Sequence, residues 1–413
     1  MEENNKITIN IEMFTLWTLF SYDMLTYLPE SVSMSMMKVA YYAVLLLCYL
    51  ALFIKNTKHL QTFYYHWGFV SLPLTLFIWL YLCRMIYDIV VVGIQTEIVV
   101  NPSTLLFLFA NGMLIPLYSS RLIRIDNICF KQLNIMLLCT YGAMAMASLF
   151  FIHTGKSDEY MFSDGRFMGN AHIDTIAFGH LGCSIIILSL ALYRRRQNLL
   201  FTLALAAAVI VGTVCLFGAG SRGPMVALAV CLLVLLYAYG IGLKAFAIMA
   251  ASLVLIIVLF PTINQIATEN GNFALERLYN SLFSQNELDS GLSTGRDKLY
   301  RLGWEAFCDN PLLGKGFLLE NGKYVHNCVL ESFMACGIFG GLAFTVSLIY
   351  TTYAAFAIAK RDKRYLFLSM LYMQQLMYSL FSRTLALLPL FGITIFLVLN
   401  VYTHEHNLSK SDG

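Results

Sequence analysis

Read as a string of apolar and polar positions, the chain is a series of apolar blocks of roughly 18–22 residues set between short polar connections. A helix needs about 20 apolar residues to cross some 30 Å of hydrocarbon, so each block predicts a spanning helix. About twelve follow from the pattern: residues 11–28, 38–54, 70–85, 103–118, 135–152, 175–193, 199–217, 224–239, 245–261, 328–358, 365–381 and 385–402. Tyr22 and Asp23 interrupt the first. One connection stands apart. From Thr262 to Val325 the chain runs about sixty residues without a spanning block, far beyond an ordinary loop. Aromatic and aliphatic residues are spread through it, which predicts a segment folded against the membrane surface.

Composition strengthens this picture. Hydrophobic residues make up 59% of the chain and charged residues 12%, about half the charge of a soluble domain. Too few polar groups remain to coat a water-facing surface, so residues 1–413 are expected to form one all-α membrane domain, with 262–325 as a long outer loop. The start, Met1-Glu2-Glu3, lacks the basic region of a cleaved signal peptide. The ten cysteines are scattered without a CxxC, which argues against a zinc or thioredoxin-type motif. Cys308 and Cys328 both fall at the outer side, where a disulfide between them is one option.

Charge sets the orientation. Alternate connections carry Lys55 and Lys58, then Arg121, Arg124 and Lys131, then Arg194-Arg195-Arg196, Lys244, and the cluster Lys360-Arg361-Asp362-Lys363-Arg364. The other connections hold mostly single basic residues: Lys38, Arg84, Lys156, Arg166, Arg222 and Arg383. The positive-inside bias makes the first set cytoplasmic and predicts both termini inside. The long loop is then outside. Within it, Ser293-Thr294 is a capping signal for a helix from about Arg296 to Cys308. Tyr300, Trp304 and Phe307 form an apolar stripe that Arg296 begins, so a helix lying in the interface would aim Arg296 toward the bundle.

Candidate chemistry gathers on the outer side. Gly218-Ala219-Gly220-Ser221-Arg222-Gly223 fits GxGxxG formally, but it joins two apolar runs rather than a strand and a helix, so a dinucleotide site is not expected. Two readings remain for it. One is a tight turn whose N–H groups and Arg222 face an anion; the other is a packing turn with a snorkelling arginine. His326-Asn327 sits where the long loop meets a membrane helix. Its imidazole is suited to take a proton from a hydroxyl near neutral pH, with Glu331 as a group to orient the ring; a structural histidine is the alternative. His153, His172 and His180 are further outer histidines. Arg166, Arg222, Arg296, Arg301 and Arg383 would converge on an anion such as a pyrophosphate, to which planar guanidinium is well matched, or else contact lipid headgroups separately. Gly337 and Gly341 form GxxxG, read as close helix packing.

Three of these segments resemble the bacterial O-antigen ligase and polymerase superfamily of membrane glycosyltransferases. They are Gly220-Ser221-Arg222-Gly223-Pro224; Gly295-Arg296 with Gly303-Trp304-Glu305-Ala306 and Asn310-Pro311-Leu312-Leu313-Gly314-Lys315-Gly316; and His326-Asn327-Cys328-Val329-Leu330-Glu331 running into Gly337-Ile338-Phe339-Gly340. Arg166 to Asn170 is a weaker fourth likeness. The resemblance covers roughly the second half of the chain. It implies a GT-C-like bundle in the bacterial cytoplasmic membrane and an undecaprenyl-diphosphate-linked glycan donor. It implies Arg222 and Arg296 on the diphosphate and His326 as base; beside these, Arg166, Arg301, Arg383, Asn327 and Glu331 are the candidates for substrate contact. The acceptor would be another lipid-linked glycan in a polymerase, or lipid A-core or a protein in a ligase. No metal or other cofactor is implied, because arginines replace the cation. Membrane lipids and a chain-length regulator are the further partners; nucleic acid is not. In 262–325 the acidic residues Glu269, Glu276, Glu287, Asp289, Asp297, Glu305, Asp309 and Glu320 at least balance the basic ones, which leans toward polymerase over ligase. A transporter or flippase is the alternative of another class, with Asp23 and Asp174 as the features it would use.

Overall fold

The computed structural model describes residues 10–21, 34–56, 60–94, 101–154, 166–169, 173–194, 197–240, 265, 269 and 296–411. Twelve helices order these residues: α1 (Ile11–Phe20), α2 (Met34–Asn56), α3 (Leu60–Tyr87), α4 (Pro102–Ser119), α5 (Phe130–His153), α6 (Thr175–Leu192), α7 (Leu199–Gly218), α8 (Arg222–Tyr239), α9 (Arg296–Asp309), α10 (Cys328–Arg361), α11 (Leu366–Phe381) and α12 (Pro389–Ser411). Seven apolar segments, including Ser71–Val92 at the end of α3, are long enough to cross a membrane. The protein is a multi-pass membrane protein. Eleven of the apolar blocks read from sequence form helices where they are described, the first over Ile11–Phe20; residues 22–28 and the twelfth block, 245–261, lie outside the described residues, as do Ser293-Thr294, Asp23 and His172.

Asparagine and aspartate start several of these helices. Asn10, Asn101, Asp174, Asn198 and Asn327 each accept a hydrogen bond from an N–H of the first turn, satisfying a donor that the helix leaves unpaired. Inside the bundle, α6 and α11 are central. The apolar window of α6 is 83% buried, against 22% for α7, so α7 presents most of its surface to lipid. Gly182 of α6 and Gly212 of α7 bring these helices together: a Cβ on Gly182 would lie 2.5 Å from the Gly212 carbonyl oxygen.

Helix α10 bends at Gly337, whose φ of +62° is outside helical geometry. The expectation of GxxxG helix packing is corrected here. Gly337 faces the Leu312 carbonyl, and Gly341 faces the Phe333 ring of its own helix. The bend frees backbone groups that the 310–316 turn then satisfies: Ile338 N donates to Pro311 O at 2.7 Å and Lys315 N to Met334 O at 2.8 Å. Arg84, at the edge of a predicted span, also reaches this turn. The helix continues past it, and Arg84 pairs with Asp88 at 2.9 Å and donates to the carbonyls of Gly314 and Lys315.

Candidate active site

The expected outer helix forms from Arg296 to Asp309. Its packed face is Leu299, Leu302, Gly303 and Ala306, which meet Val325, Leu330, Met334 and Leu319 in a small separate core. The aromatic stripe lies beside this face, and Trp304 is exposed. The reason is size: Gly303 leaves room for Val325, so α9 lies close on the start of α10. That contact sets Arg296 beside the segment leading to His326.

His326 is half-buried and has φ +57°, left-handed backbone that a non-glycine residue rarely adopts. Its Nδ1 lies 2.8 Å from the Ser382 carbonyl oxygen. A carbonyl only accepts, so Nδ1 carries the proton and Nε2 of the neutral ring carries the lone pair. Burial holds the imidazole below the ordinary histidine range. The Ser382 bond opposes this, while the charges of Arg296 and Arg383 push the same way as burial. The ring packs on Tyr324 at 4.2 Å. Burial raises the Tyr324 hydroxyl, and the charges of Arg383, Asp174, Glu331 and Arg296 all act on it.

Arg383 is fixed from two sides. Its Nε donates to Tyr378 Oη at 3.0 Å, and its Nη2 pairs with Asp174 at 2.7 Å. Asp174 also caps α6 through Ala177 N at 2.7 Å. One residue on, Thr175 lies 3.4 Å from Arg166 Nη1 and 3.5 Å from Ser221 Oγ. The 166–169 segment is pinned to the α7–α8 turn by Phe167 N donating to Gly218 O at 2.8 Å. Gly179 of α6 sits against Pro224, the third residue of α8, and Gly223 sits against Ser382. Arg222 is therefore the first residue of a helix whose N-terminus stands beside the link that holds His326. Gly220, at φ +57°, makes the turn into it.

The structure thus brings Arg296 and Arg383 to His326, with Arg166 and the start of α8, whose first residue is Arg222, packed alongside on one rim. Arg301 lies elsewhere, on the solvent side of α9, with its side chain 71% exposed and 3.7 Å from Glu305. Asn327 caps α10 through Leu330 N and donates to Leu380 O at 3.3 Å, which ties the ends of α10 and α11. Glu331 does not orient the histidine. It is fully buried beneath it, where Tyr81 Oη, Thr384 Oγ1 (2.7 Å) and Leu385 N (3.3 Å) all donate to its carboxylate. Glu331 holds the 382–385 link, and the link's carbonyl orients the ring. The disulfide option fails as well: both thiols are free, and Cys328 is buried with its Sγ 3.2 Å from Ser379 Oγ while Cys308 is exposed. His180 is buried below the rim and stacks on Tyr378 at 4.0 Å; His153 is exposed at the end of α5.

Sequence reasoning missed Ser382, which acts through its backbone and gives no side-chain signal. Tyr324 was within reach, because a residue two before His326 in extended chain shares its face. Among the described residues no three His, Cys, Asp or Glu side chains gather as a metal-binding set. What the rim offers is guanidinium charge, a helix N-terminus and one imidazole with a free lone pair. That combination suits an anionic leaving group and a hydroxyl nucleophile.

Residues 206–345, about a third of the chain, match the family model described as Wzy_C, O-antigen ligase. The matched stretch holds Arg222, Arg296 and His326 and supports the resemblance to the O-antigen ligase and polymerase superfamily. A search of the curated proteins found no match.

Proposed function

We propose, from the likeness of residues 206–345 to the O-antigen ligase family, that this protein polymerises undecaprenyl-diphosphate-linked oligosaccharide repeat units on the outer side of the bacterial cytoplasmic membrane. It would do so as a single GT-C-like membrane domain with both termini inside. The observation that carries the reading is His326, with its Nδ1 proton committed to Ser382 and with Arg296 and Arg383 beside it.

In this mechanism the donor diphosphate lies against Arg222, the N-terminus of α8 and Arg296, with Arg166 and Arg383 completing the rim. The bond from the anomeric carbon to the diphosphate oxygen breaks, and the electron pair leaves with the lipid diphosphate. The guanidinium groups stabilise that growing charge without a metal. Nε2 of His326 takes the acceptor hydroxyl's proton as its oxygen attacks the anomeric carbon from the opposite face, inverting it.

Two observations pull apart on the acceptor. The balance of acidic and basic residues in 262–325 favours a second lipid-linked glycan over a phosphate-rich lipid core. The description of the matching family favours a ligase. Deleting the gene and running the surface glycan on a gel separates them. Single-repeat glycan on the final acceptor supports polymerase, and polymer held on the lipid carrier supports ligase. Loss of outward-facing lipid-linked glycan would make the protein a flippase and overturn the proposal. Complementation with His326→Ala should fail; near-normal glycan would remove His326 as base.

A further inference from the structure

At the end of the bundle opposite His326, a cavity of about 380 Å³ opens between the start of α5, the end of α6 and the link from α10 to α11. The 18 residues of α6 separate it from the candidate active site by about 27 Å. Its rim carries Lys131, Arg194, Lys363 and Arg364, and Phe130 and Phe367 line it. Arg364 Nε is paired with Asp362 at 2.6 Å. Arg194 and Lys363 donate instead to neutral carbonyls. For Arg194 these are Ala191 O and Tyr193 O, and for Lys363 they are Ala238 O, Ala359 O and Lys360 O. Carbonyl partners satisfy hydrogens without adding negative charge, and Asp362 and Glu405 offset only part of the four cations, so the rim favours an anion.

The cavity wall also includes Asn134, whose amide points to more than an anion. Asn134 is 2% exposed; its Nδ2 donates to Leu188 O at 3.4 Å, and its Oδ1 is buried without a partner. Three features therefore meet: cations for a phosphate, a buried oxygen for a hydroxyl hydrogen, and an apolar wall at the membrane edge. Inorganic phosphate would meet the cations, and its P–OH the oxygen, but would leave the apolar wall uncovered. A phospholipid with a hydroxylated headgroup uses all three. We propose that this cavity binds the headgroup of an anionic phospholipid of the phosphatidylglycerol type, with its phosphate at Arg194 and Lys363, a glycerol hydroxyl toward Asn134 and its chains along the Phe130 side. Charge bias puts this end on the cytoplasmic side, where basic residues between membrane helices attract anionic lipid. The lipid would clamp α6 and α11, whose far ends hold Asp174 and Ser382.

The test needs no glycosyl transfer and is independent of the proposed reaction. Full-length protein is equilibrated in micelles containing equal phosphatidylglycerol and phosphatidylcholine, and retained lipid is counted by native mass spectrometry. The wild type should keep phosphatidylglycerol in preference. Arg194→Gln with Lys363→Gln should weaken that retention by about twenty-five-fold, at roughly fivefold per cation. Asn134→Leu should weaken phosphatidylglycerol but not phosphatidic acid, which lacks the headgroup hydroxyl. Equal retention of the two lipids by the wild type would overturn the proposal. So would unchanged retention in the double variant. Displacement by millimolar inorganic phosphate would reassign the cavity to a soluble anion.

Discussion

Nδ1 of His326 donates to the carbonyl oxygen of Ser382 across 2.8 Å and 56 residues of sequence. This bond fixes the tautomer, and with it the nitrogen that can act as base. Side-chain replacement at Ser382 leaves the carbonyl in place, so Ser382→Ala should keep most activity. Replacing His326 by Ala or Gln should lower transfer by about 10²–10⁴-fold, the usual contribution of a general base. Transfer assays on protein of unchanged elution and melting behaviour check this pair of expectations.

The acidity of His326 gives a pH test. A base must be unprotonated, so activity falls when pH drops through the histidine's value. Burial and two arginine charges hold that value below the ordinary one, which keeps the acid limb of the rate profile below about pH 6.5. Arg296→Gln removes a charge that repels imidazolium. The limb should then move to higher pH, apart from the loss of rate. A limb that stays fixed in Arg296→Gln would mean that another group controls the profile.

Asp174 does two things that one substitution can separate. Asn caps helices about as well as Asp, so Asp174→Asn should keep the bond from Ala177 N and leave stability nearly unchanged. It loses the charge that fixes Arg383. Melting temperature should hold within a few degrees while transfer falls, measured on the same preparations.

Glu331 is expected to behave as a support. Replacing it by Leu strands the donors Tyr81 Oη, Thr384 Oγ1 and Leu385 N in the interior, at about 1–3 kcal/mol for each unsatisfied group. Glu331→Gln, which keeps an acceptor, should cost clearly less. Denaturant unfolding in detergent compares the two, and equal losses would argue against the hydrogen-bonded role.

Gly337→Ala places a side chain against the Leu312 carbonyl at a φ of +62°. With ψ at −163° this backbone lies in a region essentially restricted to glycine, at about 1–3 kcal/mol for another residue. The 310–316 turn should detach or α10 straighten, which increased protease cleavage within 310–316 would report.

Much of the architecture was legible because block length alone identifies a membrane helix. The rim arginines were legible too, since a guanidinium near an apolar run needs a reason to be there. Other features escaped for physical causes. Which face of α9 packs depended on Gly303 and Ala306 being small, whereas hydrophobic pattern favours Tyr300 and Trp304. Spacing on α10 put Glu331 near His326 but could not reveal Tyr81 and Thr384, which arrive from distant helices. Ser382 contributes a backbone oxygen, which every residue possesses.

The 382–385 link also carries a consequence for biogenesis. Arg166, Arg222, Arg296 and His326 are all synthesised before it, yet His326 has no Ser382 carbonyl and Asp174 no Arg383 until it is made. A nascent chain arrested after α10 would lack both contacts. If His326 is the base, as proposed, the site would be completed only by the arrival of the last two helices, and the order of synthesis itself would keep a half-built protein from acting on its substrate.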